Sequence, residues 1–471
     1  MQIFDPLELE KMSNGIWTNG KLPEEIRGFA FDTRELKKGD LFLALKGDIR
    51  DGHDYLDEAM RVGAVGAIVE KVDLNRNFPQ LQVSNVLEAF QNIARKHREE
   101  FGGKIIGITG SCGKTTTKDL VSLLLGEESY KTFLNHNNLL GVPMTLMGLD
   151  NDLHKFGVIE AGMNIRGEME CLVSMIRPDI SIITNIFPVH LEGVGEIKDI
   201  AREKAYLAEG TKQGGIVLFP KSCLEYEEFR SLGSKVRVLA KKEEVIEDLL
   251  ENQIIRYEIE EDLDDVITIH LELPDFAKIY SFDLPMVSEG VIINVMLAIS
   301  TALLLGVQPE EIRERLLNWV PSKYRGEIYQ SGKQIYYADC YNANPASMLD
   351  ALGVFQKRFK NFGRYLYVLG CMGELSDKAE LYHYQVGKSL KLRDEDSVLL
   401  LGRDAPHYFL GLKDAGNDFS QIICLQNKEK AFEYLNGFEG AVFLKGSKPY
   451  ALWELLPKEA ALQKSRKIIT C

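Results

Sequence analysis

Apolar positions fall in short blocks along this chain, and their spacing predicts alternating strands and helices. Before residue 100, segments 29–34 and 40–45 have strand character, 53–62 helical spacing, and 64–69 the look of a buried strand. The polar run at 95–100, followed by Gly102-Gly103, suggests a domain junction. From Lys104 onward, apolar strands at 104–109, 156–160, 180–184 and 214–219 alternate with helical stretches, which predicts a parallel sheet. The acidic stretch 241–265 suggests a solvated helix face and a hairpin tip. A long apolar helix is expected at 294–305 and an amphipathic one at 308–317. After a second junction at 318–322, strands recur at 335–338, 365–369, 397–401 and 441–445. The expected class is α/β with three domains, at 1–102, 103–321 and 322–471. The central one is a parallel-sheet phosphate-loop domain and the C-terminal one is Rossmann-like.

The block at 104–109 breaks into Gly110-Ser111-Cys112-Gly113-Lys114-Thr115-Thr116 and then a helical pattern. Strand, Gly-rich turn and Lys-Thr at a helix start form an anion cradle: backbone N–H groups face the phosphates and Lys114 adds a full charge. A Thr hydroxyl there can ligate Mg²⁺. The usual phosphate-loop spacing G-x-x-x-x-G-K-[ST] is not met, because Ile108 stands five residues before Gly113. The loop is therefore a short variant.

Composition narrows what such a loop serves. With 45% apolar and 27% charged residues, the 471-residue chain is of globular type. A net charge of −14 argues against nonspecific nucleic-acid binding, so an anionic substrate must be drawn by local cations, dipoles and metal. No apolar run reaches the ~20 residues of a membrane span, so no stable membrane insertion is expected. Cys112, Cys171, Cys223, Cys340, Cys371, Cys424 and Cys471 form no Cys-x-x-Cys pair, and the N-terminus has no signal-type core; both fit a reducing cytoplasm.

Other residues acquire meaning around the loop. Glu160 ends the strand at 156–160, at the sheet edge where a phosphate loop's Mg²⁺ is held; a solvated strand-end acid is the plain alternative. His190 follows the strand at 180–184 and reaches the same edge, although a lone His is more often structural. Nothing local distinguishes Lys204. The amide-rich run Asn135-His136-Asn137-Asn138 can face ligand oxygens or form an Asx-turn ahead of a helix. Asp339-Cys340-Tyr341-Asn342-Ala343-Asn344-Pro345 offers a carboxylate, a phenol and two amides, or an ordinary strand-to-helix turn with an N-cap. Arg34, Lys46 and Arg50 stand among polar turns, as a second anion site or as surface charge.

Taken together these motifs resemble the Mur ligase family, whose G-[TS]-x-G-K-T-[TS] loop is matched by residues 110–116. Asn135-His136-Asn137-Asn138 with Gly141-Val142-Pro143, Glu160-Ala161-Gly162-Met163-Asn164 and His190-Leu191-Glu192-Gly193 are similar to members that add D-alanyl-D-alanine. So are Tyr341-Asn342-Ala343-Asn344-Pro345, Met372-Gly373-Glu374-Leu375 and Leu444-Lys445-Gly446-Ser447. The resemblance implies an ATP- and Mg²⁺-dependent ligase in peptidoglycan precursor synthesis, acting through an acyl phosphate on a UDP-N-acetylmuramoyl tripeptide and D-alanyl-D-alanine. It implies that Gly110, Ser111, Cys112, Gly113, Lys114, Thr115 and Thr116 hold ATP phosphates and that Thr115 with Glu160 holds Mg²⁺. His190 and Lys204 would serve a second metal, the lysine often being carbamylated in the family. Asn294 and Arg325 match adenine- and phosphate-side positions, and Asp339 the ribose acid. Asn137, Asn138, Asn342 and Asn344 are implied to face substrate, and Thr33, Arg34 and Lys46 the UDP-sugar. A monomer that closes its domains around ATP is expected.

Five positions depart from the family pattern: Gly290-Val291 in place of His-Asn, Ile165 in place of His, Cys371 in place of Asp, and Lys448 in place of Arg. The rival expectations are a Mur-type ligase for another amino acid and a nucleotide-binding regulator without chemistry. The regulator would keep Lys114 but not need His190, Lys204 or Asp339.

Overall fold

In the computed structural model, which describes residues 3–18, 21–261 and 266–462, the chain forms three sheets with their attendant helices. The first has five strands, ordered Ile16–Trp17, Gln80–Gln82, Gly66–Val69, Asp40–Leu43, Gly28–Ala30. Against it lies the helix Val86–Glu100, burying Val86, Ala89, Phe90, Ile93 and Ala94 along one face. This helix takes in the polar run at 95–100 and ends just ahead of Gly102-Gly103. Arg98 is buried because its guanidinium donates to the carbonyls of Ile176 and Arg177 at 2.9 and 3.0 Å. The strand expected at 29–34 stops at Ala30, where Asp32 turns the chain by accepting the Arg34 N–H.

The central sheet has nine strands. Lys104–Thr109 lies between Phe156–Glu160 and Ile180–Ile183, all parallel, with Ser129–Lys131 at the near edge. The chain leaves Lys104–Thr109 toward the Ser129–Lys131 edge and leaves the adjacent Ile180–Ile183 toward the opposite side, so the C-terminal ends of these two strands form the switch point at which open α/β sheets hold ligands. Ile216–Pro220, Val236–Lys241 and Ile254–Glu261 continue the sheet in parallel. Val266–Glu272 and Ile279–Pro285 then add an antiparallel arm beyond the expected parallel strands. Among its described residues the acidic segment after Lys241 forms no α-helix, only a 3-10 turn at Glu251–Gln253. Glu244 accepts the Lys241 N–H there, and Ile254, Ile255 and Tyr257 are buried by pairing with the neighbouring strand. The expected hairpin tip at 262–265 lies outside the described residues.

The helix Glu289–Leu304 is apolar on almost every side and packs with the helix Lys114–Leu125 in the largest core cluster. The third sheet has five parallel strands, ordered Ile422–Leu425, Ser397–Leu401, Tyr365–Gly370, Gly440–Lys445, Gln334–Ala338. Glu327–Ser331 and Ala461–Leu462 join it antiparallel. The α/β class with three units is as expected. Among the described residues no helix is long and apolar enough to cross a membrane.

Candidate functional site

A cleft of about 2490 Å³ opens between the central and third sheets, and the phosphate loop forms its floor. Asn185 shapes the loop: its carbonyl accepts the Ser111 N–H at 3.1 Å and its side-chain oxygen accepts the Cys112 N–H at 2.8 Å. The Ser111 hydroxyl donates to the Phe187 carbonyl at 2.8 Å, and Thr184 donates to that of Cys112. Gly113 sits at φ 81° just ahead of the helix Lys114–Leu125, and a Cβ there would lie 2.4 Å from Asn294 Nδ2. Gly113→Ala is therefore expected to cost about 1–3 kcal/mol of stability, from a strained φ and a steric clash. An unchanged midpoint in urea unfolding would contradict that close approach.

The Lys114 ammonium donates to the Gly110 carbonyl at 2.7 Å. Burial pushes its pKa below the ordinary lysine range, and the negative charge of Glu160 pulls it partly back. Glu160 is 1% exposed. Its Oε1 accepts from Asn137 at 2.7 Å and from the Thr115 hydroxyl at 3.3 Å. Its Oε2 has no hydrogen-bond partner among the described residues, although the Lys118 ammonium stands 3.8 Å away. A buried carboxylate oxygen without a donor, beside a hydroxyl at a phosphate loop, is a hard oxygen set that fits Mg²⁺.

Sequence reasoning missed Lys118, which lies one helical turn after Lys114 and donates to the Leu134 carbonyl at 2.9 Å. That bond ties the phosphate-loop helix to the amide-rich segment. Within the segment, Asn137 faces the site. Asn138 lines the cleft but also forms the Asx-turn, accepting the Gly141 N–H at 2.8 Å.

The third sheet brings its own residues to the cleft. Asn344 caps the helix Pro345–Arg358 by accepting the Ser347 N–H at 2.9 Å, and its amide reaches Cys112 Sγ at 2.6 Å. Lys445 is buried and donates to Asp339 Oδ2 at 2.8 Å, an ion pair at the strand ends. Arg325 stacks over the Tyr341 ring, 4.4 Å from its centroid. Asn342 is exposed at the rim, its carbonyl 3.4 Å from Lys445 Nζ. Asn294 is 4% exposed with its Oδ1 unpartnered among the described residues. Thr116 is buried and lines the same floor.

The pair expected at a second metal is not joined directly. His190, at φ 53°, bonds Glu374 in the loop after Tyr365–Gly370 at 2.5 Å, which lowers the Glu374 pKa. Lys204 is fully buried on the helix Ile197–Glu209, its Nζ 3.6 Å from Met163 Sδ. Burial, then the charge of Lys114, holds its pKa well below the usual value. The three residues expected at a UDP-sugar lie away from the cleft: Thr33 and Arg34 sit in the Asp32 turn and Lys46 beside Asp51. Asp32 engages Arg34 locally. Cys371, His383 and Asp404 place ligand-type atoms within 4.8 Å of one another. His383 spends both nitrogens inside the protein, however: Nε2 accepts the Met372 N–H and Nδ1 donates to the Ala379 carbonyl.

Comparison with known proteins bears on this geometry. The Mur ligase middle domain matches residues 108–302, and the Mur ligase glutamate ligase domain matches 324–447. The UDP-N-acetylmuramoyl-tripeptide--D-alanyl-D-alanine ligase of Synechocystis is 32% identical over 397 residues, covering 81% of each chain. The chain belongs to the Mur ligase family. The like-named Bacillus subtilis ligase is 29% identical over 384 residues, 80% of each chain. A crystal structure of MurF from Acinetobacter baumannii superposes with a TM-score of 0.84 at 27% identity, covering 97% of this chain and 98% of that one. The Thermotoga maritima MurF structure in complex with ADP shares the fold, with a TM-score of 0.75 at 23% identity, covering 91% and 96%. These matches run through all three sheets of this Mur ligase-family chain, so its fold is that of the family throughout.

Proposed function

We propose that this chain is an ATP-dependent ligase that joins D-alanyl-D-alanine to the terminal carboxylate of a UDP-N-acetylmuramoyl tripeptide in peptidoglycan precursor synthesis. The observation that carries the reading is the buried, donor-free Glu160 oxygen beside Thr115, at a phosphate loop of the short Mur type. The curated relatives' shared name supplies the two substrates.

A carboxylate is a poor electrophile, and phosphorylation gives it a leaving group. In the proposed sequence a tripeptide carboxylate oxygen attacks the γ-phosphorus of ATP and ADP leaves. The dipeptide amine then attacks the acyl phosphate carbon, and phosphate leaves. The protein's part is positioning and charge neutralisation. Lys114 and the N–H groups of residues 110–116 would hold the phosphates, while Thr115 and Glu160 would hold Mg²⁺. When bound, that ion supplies charge neutralisation at phosphate oxygens.

We assign Asn294 and Arg325 to the nucleotide's base and phosphate sides and Asp339 to its ribose. Asn137, Asn138, Asn342 and Asn344 face the peptide substrates in this reading, and Thr33, Arg34 and Lys46 the UDP-sugar. His190 and Lys204 serve a second metal. A monomer in the cytoplasm, where nucleotide-linked precursors and ATP occur together, fits this role.

The purified protein is expected to release phosphate only when ATP, the UDP-linked tripeptide and D-alanyl-D-alanine are all supplied. Equal turnover with single amino acids in place of the dipeptide would overturn the assignment.

A further inference from the structure

The helix Pro345–Arg358 meets the central unit along its length: at its end Lys357 pairs with Glu261 and Arg358 donates to the Met286 carbonyl at 2.7 Å, and two contacts lie nearer the phosphate loop. At its start, Asn344 meets Cys112 of the phosphate loop at 2.6 Å. Asp350 lies six residues on, about 9 Å along the helix axis. Its carboxylate oxygens stand 3.4 and 3.3 Å from the Gly290 N–H, at the start of the helix Glu289–Leu304. Both contacts are made by residues lining the cleft. The separation matches the reach of a nucleotide from its phosphates to its base, so a nucleotide anchored at residues 110–116 can place its base near Asp350.

Gly290 makes the approach feasible, because a Cβ there would sit 2.8 Å from Asp350 Oδ2. Asn294 follows one turn later, about 6 Å along that helix. It is 4% exposed, and its Oδ1 finds no donor among the described residues. Among the described residues Asp350 takes the long Gly290 bond and the Ser288 hydroxyl, while Asp339 and Lys445 of its own unit act on it with opposite charges. This wall of the cleft therefore offers acceptors that the protein leaves short of donors. Their natural complement is a donor on the base.

We propose that Asp350 is a base-specificity residue that accepts a hydrogen bond from the 6-amino group of adenine, with Gly290 leaving room for it and Asn294 Oδ1 as a second acceptor. This rests on the ATP reading of the cleft and names how the base is chosen. A 6-oxo base in the same position would set oxygen against carboxylate. Leaving a buried acceptor unpaired or opposed lowers binding by at least about tenfold.

The test compares ATP with ITP, which differs at the 6-position, both in equilibrium binding to the purified protein and in kcat/KM with saturating peptide substrates. Wild type is expected to prefer ATP by at least about tenfold. Asp350→Ala should weaken ATP and leave ITP nearly unchanged. The isosteric Asp350→Asn, whose amide can donate to a 6-oxo group, should narrow the preference further by improving ITP. An ATP-to-ITP ratio unchanged in both variants, or equal weakening of both nucleotides, would overturn the proposal; equal weakening would leave Asp350 as an interdomain contact alone. Wild-type turnover in the three-substrate assay is recorded first. Failure of the ligase reading would appear there, whereas failure of base reading appears only in the nucleotide ratios.

Discussion

Lys114→Ala is expected to lower kcat/KM by at least about a thousandfold, while the circular dichroism spectrum stays that of the folded protein. In this structure the ammonium bonds the Gly110 carbonyl at 2.7 Å, closing the loop on itself. Entry of a triphosphate would exchange that carbonyl for phosphate oxygens, so the native bond is a placeholder the ligand can replace. Little stability depends on it, since one hydrogen bond to a charged group is worth about 1.5–3 kcal/mol against the rest of the fold. The loss should instead appear in phosphoryl transfer, where charge builds on the γ-phosphate. Calorimetric titration with ATP should show weaker binding by tenfold or more, and the kinetic loss should exceed it. Activity within tenfold of wild type would remove Lys114 from the mechanism.

The sequence was most informative where function needs consecutive residues. The strand, turn and helix at 104–125 were legible because an apolar block, glycines and a Lys-Thr-Thr run are local signals. Glu160 was legible as a strand-end acid in the same sheet. Partners contributed from far along the chain were not. Asn344 meets Cys112 across 232 residues, and neither segment carries a mark of the other. Lys118 looks like any helical lysine until Leu134 and Glu160 are seen around it. The strand Ile254–Glu261 was hidden for a different reason: the alternation of buried Ile255 and Tyr257 is cut short by Glu258, Glu260 and Glu261. For Arg34 and Lys46 the residues left an anion site and surface charge equally open, resemblance named the UDP-sugar, and the structure places them with Thr33 apart from the ATP-side cleft.

Lys204→Ala is expected to lower kcat at least about a hundredfold, and added formate or acetate to restore about tenfold of that. The argument begins with a cost. A lysine at 0% exposure whose ammonium meets a thioether sulfur at 3.6 Å has no direct ion pair among the described residues, and the charge of Glu203 offsets its burial only in part. Burial and the nearby Lys114 charge drive it toward the neutral amine. A neutral, buried amine is a nucleophile toward carbon dioxide: its nitrogen bonds the carbon, one proton leaves, and a carbamate anion results. That change would turn an unfavourable cation into a carboxylate-like oxygen donor near Lys114, suited to the metal role proposed for Lys204. Labelled carbon dioxide should then give a carbamate carbon resonance in wild type that is missing from the alanine variant. Lys204→Met should fold as well as wild type or better, because it removes an unpaired buried charge and keeps the volume. If Lys204 were only a packing residue, the methionine variant would keep its activity, carboxylates would rescue nothing at any concentration, and the carbamate resonance would be absent.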